Sequence, residues 1–247
     1  MNAICVIPAR LESTRLPRKL LRTILGKPIL QHVYENARRA KKPSRVLVAC
    51  DHEELARAVK LFGGDYLMTS SKHQSGTERL TEVAEKLKAD VFVNVQADEP
   101  LMHPSTIDDL ISAMEINPEC SMATACIRLR EEYDFRNPNV VKVVKNQKDE
   151  ALYFSRAPIP HDRDGQATDF FKHLGIYAYT RDFLLRIPKL KASNLEKKER
   201  LEQLRVLDNG FSIKVLETAY DSIGVDIEDD LKKVEKIMKA QSEKTHA

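Results

Sequence analysis

The chain has 247 residues, 42% of them hydrophobic and 31% charged, which is the make-up of an ordinary folded protein with room for one large domain. A formal net charge of +3 is too small to point to nucleic acid or an anionic membrane surface, and no apolar run approaches a membrane span. Met1 leads into a strand-like run with no signal-peptide pattern, and Cys5, Cys50, Cys120 and Cys126 lie scattered without a Cys-x-x-Cys pair, so a cytoplasmic chain with buried free thiols is expected.

In chain order, Ile4–Ile7 reads as a buried strand that breaks at Pro8 into a strongly basic loop. Arg10, Arg15, Arg18 and Lys19 place four cations beside the hydroxyls of Ser13 and Thr14 within ten residues. A helix follows from about Pro28 to Ala40, with proline in its first turn and apolar residues at helical spacing. The cations at its end complement the helix dipole and read as a solvated terminus. Arg45–Cys50 is a second strand. Asp51 is expected to cap the next helix, with Glu54 completing a capping box, and Gly63-Gly64 to end it. Tyr66–Thr69 reads as a short strand, Glu78–Leu87 as a helix, and Val91–Val95 as a strand with the continuous apolar character of a sheet centre.

Strands alternating with helices predict a parallel, doubly wound sheet. The second half is more mixed. Met122–Leu129, Val140–Val144, Ala151–Phe154 and Leu174–Tyr179 read as strands with few helices between them, a mixed-sheet extension. Helices at about Leu195–Asn209 and Ile227–Lys239 flank a strand at Phe211–Leu216, and Gln241–Ala247 reads as a frayed tail. No repeat or linker divides the chain, so residues 1–247 are expected to form one domain.

The basic loop leaves the carboxyl end of a strand, where open α/β sheets bind ligands. Guanidinium forks, an ammonium and hydroxyls suit a polyphosphate held by side chains, since neither a glycine-rich dinucleotide fingerprint nor a Walker pattern is present. Further on, His73-Gln74-Ser75-Gly76-Thr77 either caps a helix or presents donors to a base or phosphate. In Asn94-Val95-Gln96-Ala97-Asp98-Glu99-Pro100 a carboxylate emerges at the sheet's ligand edge. Asp98 suits Mg²⁺, which takes one or two carboxylates and completes its octahedron with phosphate and water, while Glu99 is expected to cap a turn. Among the acids of Gly224–Asp230, residues 228–230 are explained by the start of a helix, leaving Asp226 as the second metal candidate.

The strand end at Phe154-Ser155-Arg156 exposes a guanidinium. His173, Gly175 and Tyr177 share a strand face under period-two alternation. Glu202 and Gln203 precede Arg205, with Glu202 and Arg205 one turn apart as a candidate surface pair. Histidine, tyrosine, glutamate and glutamine also make good partners for a polyhydroxylated sugar.

Taken in order, Ile7-Pro-Ala-Arg, Ser13-Thr-Arg-Leu-Pro, Gly26-Lys-Pro, His73-Gln-Ser-Gly-Thr-Glu-Arg and Asn94-Val-Gln-x-Asp-Glu-Pro resemble the 3-deoxy-manno-octulosonate (Kdo) cytidylyltransferases, or CMP-Kdo synthetases. Asn137-Pro-Asn-x-Val-Lys-Val-Val, Ala151-Leu-Tyr-Phe-Ser-Arg, His173-Leu-Gly-Ile-Tyr, Leu201-Glu-Gln-Leu-Arg and Gly224-Val-Asp extend the resemblance over roughly residues 4 to 235. The family has glycine where Arg18 and Ala97 stand, which matters if the backbone there has positive φ or touches ligand.

The resemblance implies a Rossmann-like nucleotidyltransferase fold and transfer of CMP from CTP to Kdo for lipopolysaccharide assembly, by a cytoplasmic homodimer. It assigns Arg10, Ser13, Arg15 and Lys19 to the triphosphate, and Gln74 and Ser75 to the cytosine and ribose. Asp98 and Asp226 are assigned to Mg²⁺, and together with Arg15 and Lys19 form the catalytic set. Gln96, Arg156, His173, Tyr177, Glu202 and Gln203 are assigned to the sugar acid.

Overall fold

The protein is described here by a computed structural model covering residues 1–165 and 169–245. Its elements run β1 (Ala3–Ala9), two short strands β2 (Thr23–Ile24) and β3 (Lys27–Pro28), α1 (Ile29–Arg38), β4 (Arg45–Cys50), α2 (Glu53–Leu61), β5 (Tyr66–Met68), α3 (Gly76–Lys86) and β6 (Val91–Asn94). The second half continues with α4 (Pro104–Ile116), β7 (Met122–Arg128), α5 (Glu132–Arg136), β8 (Lys142–Lys145), β9 (Ala151–Ser155), β10 (Phe171–Thr180), α6 (Arg181–Arg186), α7 (Asn194–Glu199), α8 (Gln203–Asp208), β11 (Lys214–Glu217) and α9 (Glu228–Thr245).

The central sheet has the order β11-β7-β10-β6-β1-β4-β5, with β8 and β9 as a hairpin laid against β10. β5, β4, β1 and β6 pair in parallel, as do β7 and β11; β10 runs antiparallel between β6 and β7. This is the mostly parallel sheet with a mixed extension that the alternation of elements predicts.

Both sheet faces are covered, which explains the near-continuous apolar strands. In β1, Ala3, Cys5 and Ile7 face a core completed by α1, α2, α4 and α9, whereas Ile4 and Val6 face the core of α3, α6 and α8. Cys5, Cys50 and Cys126 are buried free thiols, and burial raises each to about 12, so they pack as small apolar groups.

Several local expectations are corrected. Asp51 does not cap α2: the cap is His52, whose ring accepts from the Glu54 N–H, while Asp51 accepts from the Leu11 N–H at 3.0 Å. α3 begins at Gly76, capped by the Ser75 hydroxyl. The helix expected over 195–209 is two short helices broken at Arg200, whose φ of 53° is left-handed. The strand expected at Phe211–Leu216 is β11, Lys214–Glu217. The structure adds α4, α5 and α6. α9 continues through the expected frayed tail to Thr245; residues 246–247 lie outside the described ones.

Candidate active site

The basic loop leaves β1 at the carboxyl edge of the sheet and ends in a single helical turn, Lys19–Leu21. Arg18, which precedes this turn, has φ 53° and ψ 34°. The left-handed region is one that glycine takes without a Cβ penalty, and Arg18 forms an exposed pair with Glu54 at 2.5 Å. Ala97 is buried and is not among the residues with positive φ, so its methyl carries no backbone strain.

Next to β1, β6 delivers Gln96, Ala97 and Asp98 to the same edge. The Val225 N–H donates to the Asp98 carbonyl at 2.9 Å, and Val225 is anchored in the core, which sets Asp226 beside Asp98. Asp230 accepts from the N–H groups of Asp226 and Ile227, and Glu228 receives two hydrogen bonds from Arg22. Those acids serve the helix start and its surface, as their position predicts.

Lys19 completes the convergence. Its Nζ lies 2.5 Å from Asp98 Oδ2 and 3.0 Å from Asp226 Oδ1, and Arg15 Nη2 lies 3.0 Å from Asp226 Oδ2. Burial works to lower the Lys19 ammonium, but the two carboxylates outweigh it and hold it above its ordinary value. Around this cluster opens a cleft of ≈320 Å³ lined by Arg10, Glu12, Ser13, Thr14, Arg15, Lys19, Gln96, Asp98 and Asp226. Arg10 Nη2 is buried without a hydrogen-bond partner. A buried guanidinium donor left open, beside hydroxyls and two more cations, is prepared for an anion.

The donor set also fits a magnesium ion. Asp98 and Asp226 bring hard oxygens to one point, which the Lys19 ammonium fills, and the cleft leaves room for phosphate and water to complete an octahedron. No group of three or more histidine, cysteine or acidic side chains able to hold a metal exists among the described residues.

The second half contributes a cluster of polar groups around β10, apart from the main cleft. β10 carries a bulge between Leu174 and Tyr177 that shifts its register against β7 from Leu174↔Ala125 to Tyr177↔Thr124. Two extra residues preserve the alternation, so His173 and Tyr177 do share a face, with ring centroids 5.4 Å apart. A Cβ on Gly175 would stand 3.0 Å from Glu99 Oε1 and 3.5 Å from Gln96 Cγ, so a side chain there would crowd the Glu99 carboxyl.

His173 is buried, and burial lowers it to about 3, so the ring is neutral. The Thr124 hydroxyl lies 2.7 Å from the Ile176 carbonyl and 2.9 Å from His173 Nε2. A hydroxyl has one proton to give; donated to Ile176, it leaves Thr124 to accept from an Nε2–H, and His173 Nδ1 becomes an acceptor. Tyr177 is raised by burial and then by Glu202 and Glu99, so it remains a phenol.

Glu202 bridges the halves: its Oε1 accepts from Ser75 Oγ at 3.1 Å and its Oε2 from Thr77 Oγ1 at 2.6 Å. The expected Glu202–Arg205 pair is not formed, because Arg205 donates to Glu196 at 2.7 and 2.8 Å. Gln203 is buried with Nε2 open, beside a small cavity lined by Tyr177, Tyr179 and Glu202.

Of the predicted base and sugar residues only Gln96 lines the main cleft; Tyr177, Glu202 and Gln203 line the separate small cavity, and Gln74, Ser75, Arg156 and His173 line neither. Gln74 is exposed and bonds the Lys72 carbonyl, whereas Arg156 braces the carbonyls of Glu199 and Pro138. Glu99 is no exposed turn cap: its carboxyl is buried with Oε2 open, and burial, then Asp98, raises it to about 7. Thr124 escapes sequence reading, since it looks like an ordinary strand residue, while Thr77 lies in a segment singled out as a helix cap or ligand turn.

A carboxyl-edge cleft with a cationic phosphate wall facing paired carboxylates defines a nucleotidyltransferase. A cytidylyltransferase family model matches residues 4–218. The 3-deoxy-manno-octulosonate cytidylyltransferase of Geobacter metallireducens is 47% identical over 254 residues, covering 98% of this chain and all of the relative. Its counterpart from Geobacter sulfurreducens is 49% identical over 245 residues, covering 95% of this chain and 98% of the relative. The solved structure of CMP:2-keto-3-deoxy-manno-octonic acid synthetase complexed with CTP superposes with a TM-score of 0.94 at 42% identity, covering 98% of this chain and 100% of that one. The chain belongs to the cytidylyltransferase family, among the 3-deoxy-manno-octulosonate cytidylyltransferases.

Proposed function

We propose that this chain transfers CMP from CTP to the anomeric hydroxyl of Kdo, releasing pyrophosphate and yielding CMP-Kdo for lipopolysaccharide assembly. The observation that carries the reading is the meeting of Lys19, Asp98 and Asp226 in a cleft whose other wall is Arg10, Ser13 and Arg15. The relatives' names and the CTP-bound neighbour support it.

The attacking hydroxyl must meet the α-phosphorus in line with the departing pyrophosphate, a reaction that needs positioning and charge neutralisation more than covalent help. Arg10, Ser13, Arg15 and Lys19 hold the triphosphate, and Arg15 and Lys19 offset the charge that builds on pyrophosphate. Asp98 and Asp226 would hold Mg²⁺, which would supply Lewis-acid charge neutralisation when bound. Ser75, with Gln74, serves the base and ribose. Gln96, Tyr177, Glu202 and Gln203 orient the sugar hydroxyls, with His173 accepting at Nδ1, and Arg156 shapes the far side of that pocket through its brace on Glu199. The single domain acts in the cytoplasm as a homodimer, a reading that rests on the family resemblance; no helix among the described residues is long and apolar enough to cross a membrane.

The test is pyrophosphate release from CTP and Mg²⁺ with Kdo, its 8-amino analogue and a sialic acid as alternative acceptors. Turnover is expected with Kdo above the others. Preference for the amino sugar or for sialic acid would reassign the substrate, and no release with any acceptor would make the chain a nucleotide-binding subunit.

A further inference from the structure

Arg79, on α3, is the largest fully buried charged side chain of the described residues and has no part in the roles given above. Its Nη1 donates to Thr69 Oγ1 at 2.6 Å and to the Ser70 carbonyl at 3.2 Å, and its Nη2 stands 3.5 Å from Asp51 Oδ2. Thr69 and Ser70 directly follow β5, and Asp51 directly follows β4. The other Asp51 oxygen accepts from the Leu11 N–H at 3.0 Å, one residue beyond Arg10 in the basic loop. A single guanidinium thus ties together the loops after β1, β4 and β5, three neighbouring strands of the sheet, at the edge where the cleft opens.

The same loops are fastened a second time to α3. Glu82 accepts from the Ser70 N–H at 2.9 Å and pairs with His73 Nε2 at 2.5 Å, which fixes the segment leading to Gln74 and Ser75. Asp51 faces Arg79, burial and the nearby charge of Arg10 pull the Arg79 guanidinium below its ordinary value, and both Arg79 Nε and Arg10 Nη2 are buried with open donors. Asp51 and Glu82 answer Arg79, which leaves the Arg10 guanidinium on the cleft wall with a donor open to an anionic ligand.

We propose that Arg79 is a positioning residue for the nucleotide half of the reaction: through Asp51 it fixes the backbone of the phosphate loop, and through Thr69 and Ser70 it fixes the loop that carries Gln74 and Ser75. Both loops are then set before CTP arrives. The inference rests on the proposed function for the identity of the ligand. It uses the planar fork of arginine, whose Nη1 serves Thr69 and Ser70 while Nη2 faces Asp51; the single nitrogen of a lysine would have to reach both sides from one point.

The experiment compares Arg79→Lys, Arg79→Met and Asp51→Asn with the unaltered chain, measuring CTP binding by calorimetry without sugar, KM for each substrate, and thermal unfolding. Each variant is expected to weaken CTP binding and raise KM for CTP by about ten-fold or more while KM for Kdo moves less than about two-fold, as loss of charge-assisted contacts confined to one subsite predicts. Arg79→Lys should rescue nothing relative to Arg79→Met. If the methionine variant fails to fold, the near-isosteric Asp51→Asn carries the test. Unchanged CTP affinity in a folded variant, rescue by lysine, or an equal rise of both KM values overturns the proposal. Tight CTP binding by the unaltered chain with no product from Kdo would overturn the functional reading instead, and CTP affinity alone would then judge Arg79.

Discussion

Lys19 is the residue on which the site turns, because it neutralises two carboxylates that would otherwise repel each other across the cleft floor. Replacing either aspartate by asparagine keeps the shape and removes the charge that metal and ammonium both need. Asp98→Asn and Asp226→Asn are each expected to lower kcat by at least ~100-fold, the scale of losing one preorganised electrostatic contact. Near-normal turnover in either variant would sink the metal assignment. Lys19→Ala should raise KM for CTP more than KM for Kdo. The reverse is expected for His173→Ala, whose neutral ring, held by Thr124, is proposed to serve the sugar. Steady-state kinetics with each substrate varied in turn decides between them. Much of this was legible: Arg10, Ser13, Arg15, Lys19, Asp98 and Asp226, chosen for residue type at strand ends, do line one cleft. Asp51 was not legible, because an aspartate before a helix with glutamate three residues on satisfies the capping rule whether or not the side chain is needed elsewhere.

Among the elements, the two helices on either side of Glu202 show where local pattern fails. Their combined sequence reads as one helix over 195–209, with no glycine or proline to mark a break. The chain nevertheless turns at Arg200 in the left-handed region, and Leu201 packs into the core. That turn frees Glu202 to reach Ser75 and Thr77, while the Glu196–Arg205 pair closes the two helices on each other. A tertiary contact therefore outweighs a strained φ. The strain gives a prediction: Arg200 is exposed, and Arg200→Gly is expected to stabilise the chain by up to about 1 kcal/mol by removing the left-handed Cβ penalty. Urea unfolding measures it, and a loss of stability would show that the arginine side chain contributes more than its backbone costs. In β10 the sequence pattern survived for a different reason, since a bulge that adds two residues leaves the period-two face intact.

For the whole molecule, the pairing of Lys19 with aspartates 79 and 207 residues away is a product of topology that no local pattern encodes. The same burial that builds the site also gives the fold an acid response. His173 sits near 3 because burial disfavours its charged form, so between about pH 6.5 and 3 the unfolded chain binds a proton that the folded chain refuses, and stability falls with acidification. Burial works to raise Glu82, yet Lys86, the Ser70 N–H and His73 hold it down to about 2, and its contribution is lost from 4.5 downward. Glu99 acts in the opposite sense. Raised to about 7, it keeps a proton in the folded state that the unfolded chain loses above 4.5, so acidification from 7 to 4.5 favours the fold. His173 and Glu99 therefore offset each other between about pH 6.5 and 4.5, and below 4.5 His173 and Glu82 pull together. Urea unfolding in metal-free buffer is expected to show a nearly flat stability over the upper window and a steep fall below it. Glu99→Gln should remove the offset, so that the decline begins near pH 6.5. Superimposable profiles for the variant and the unaltered chain would mean that Glu99 does not hold its proton in the folded state.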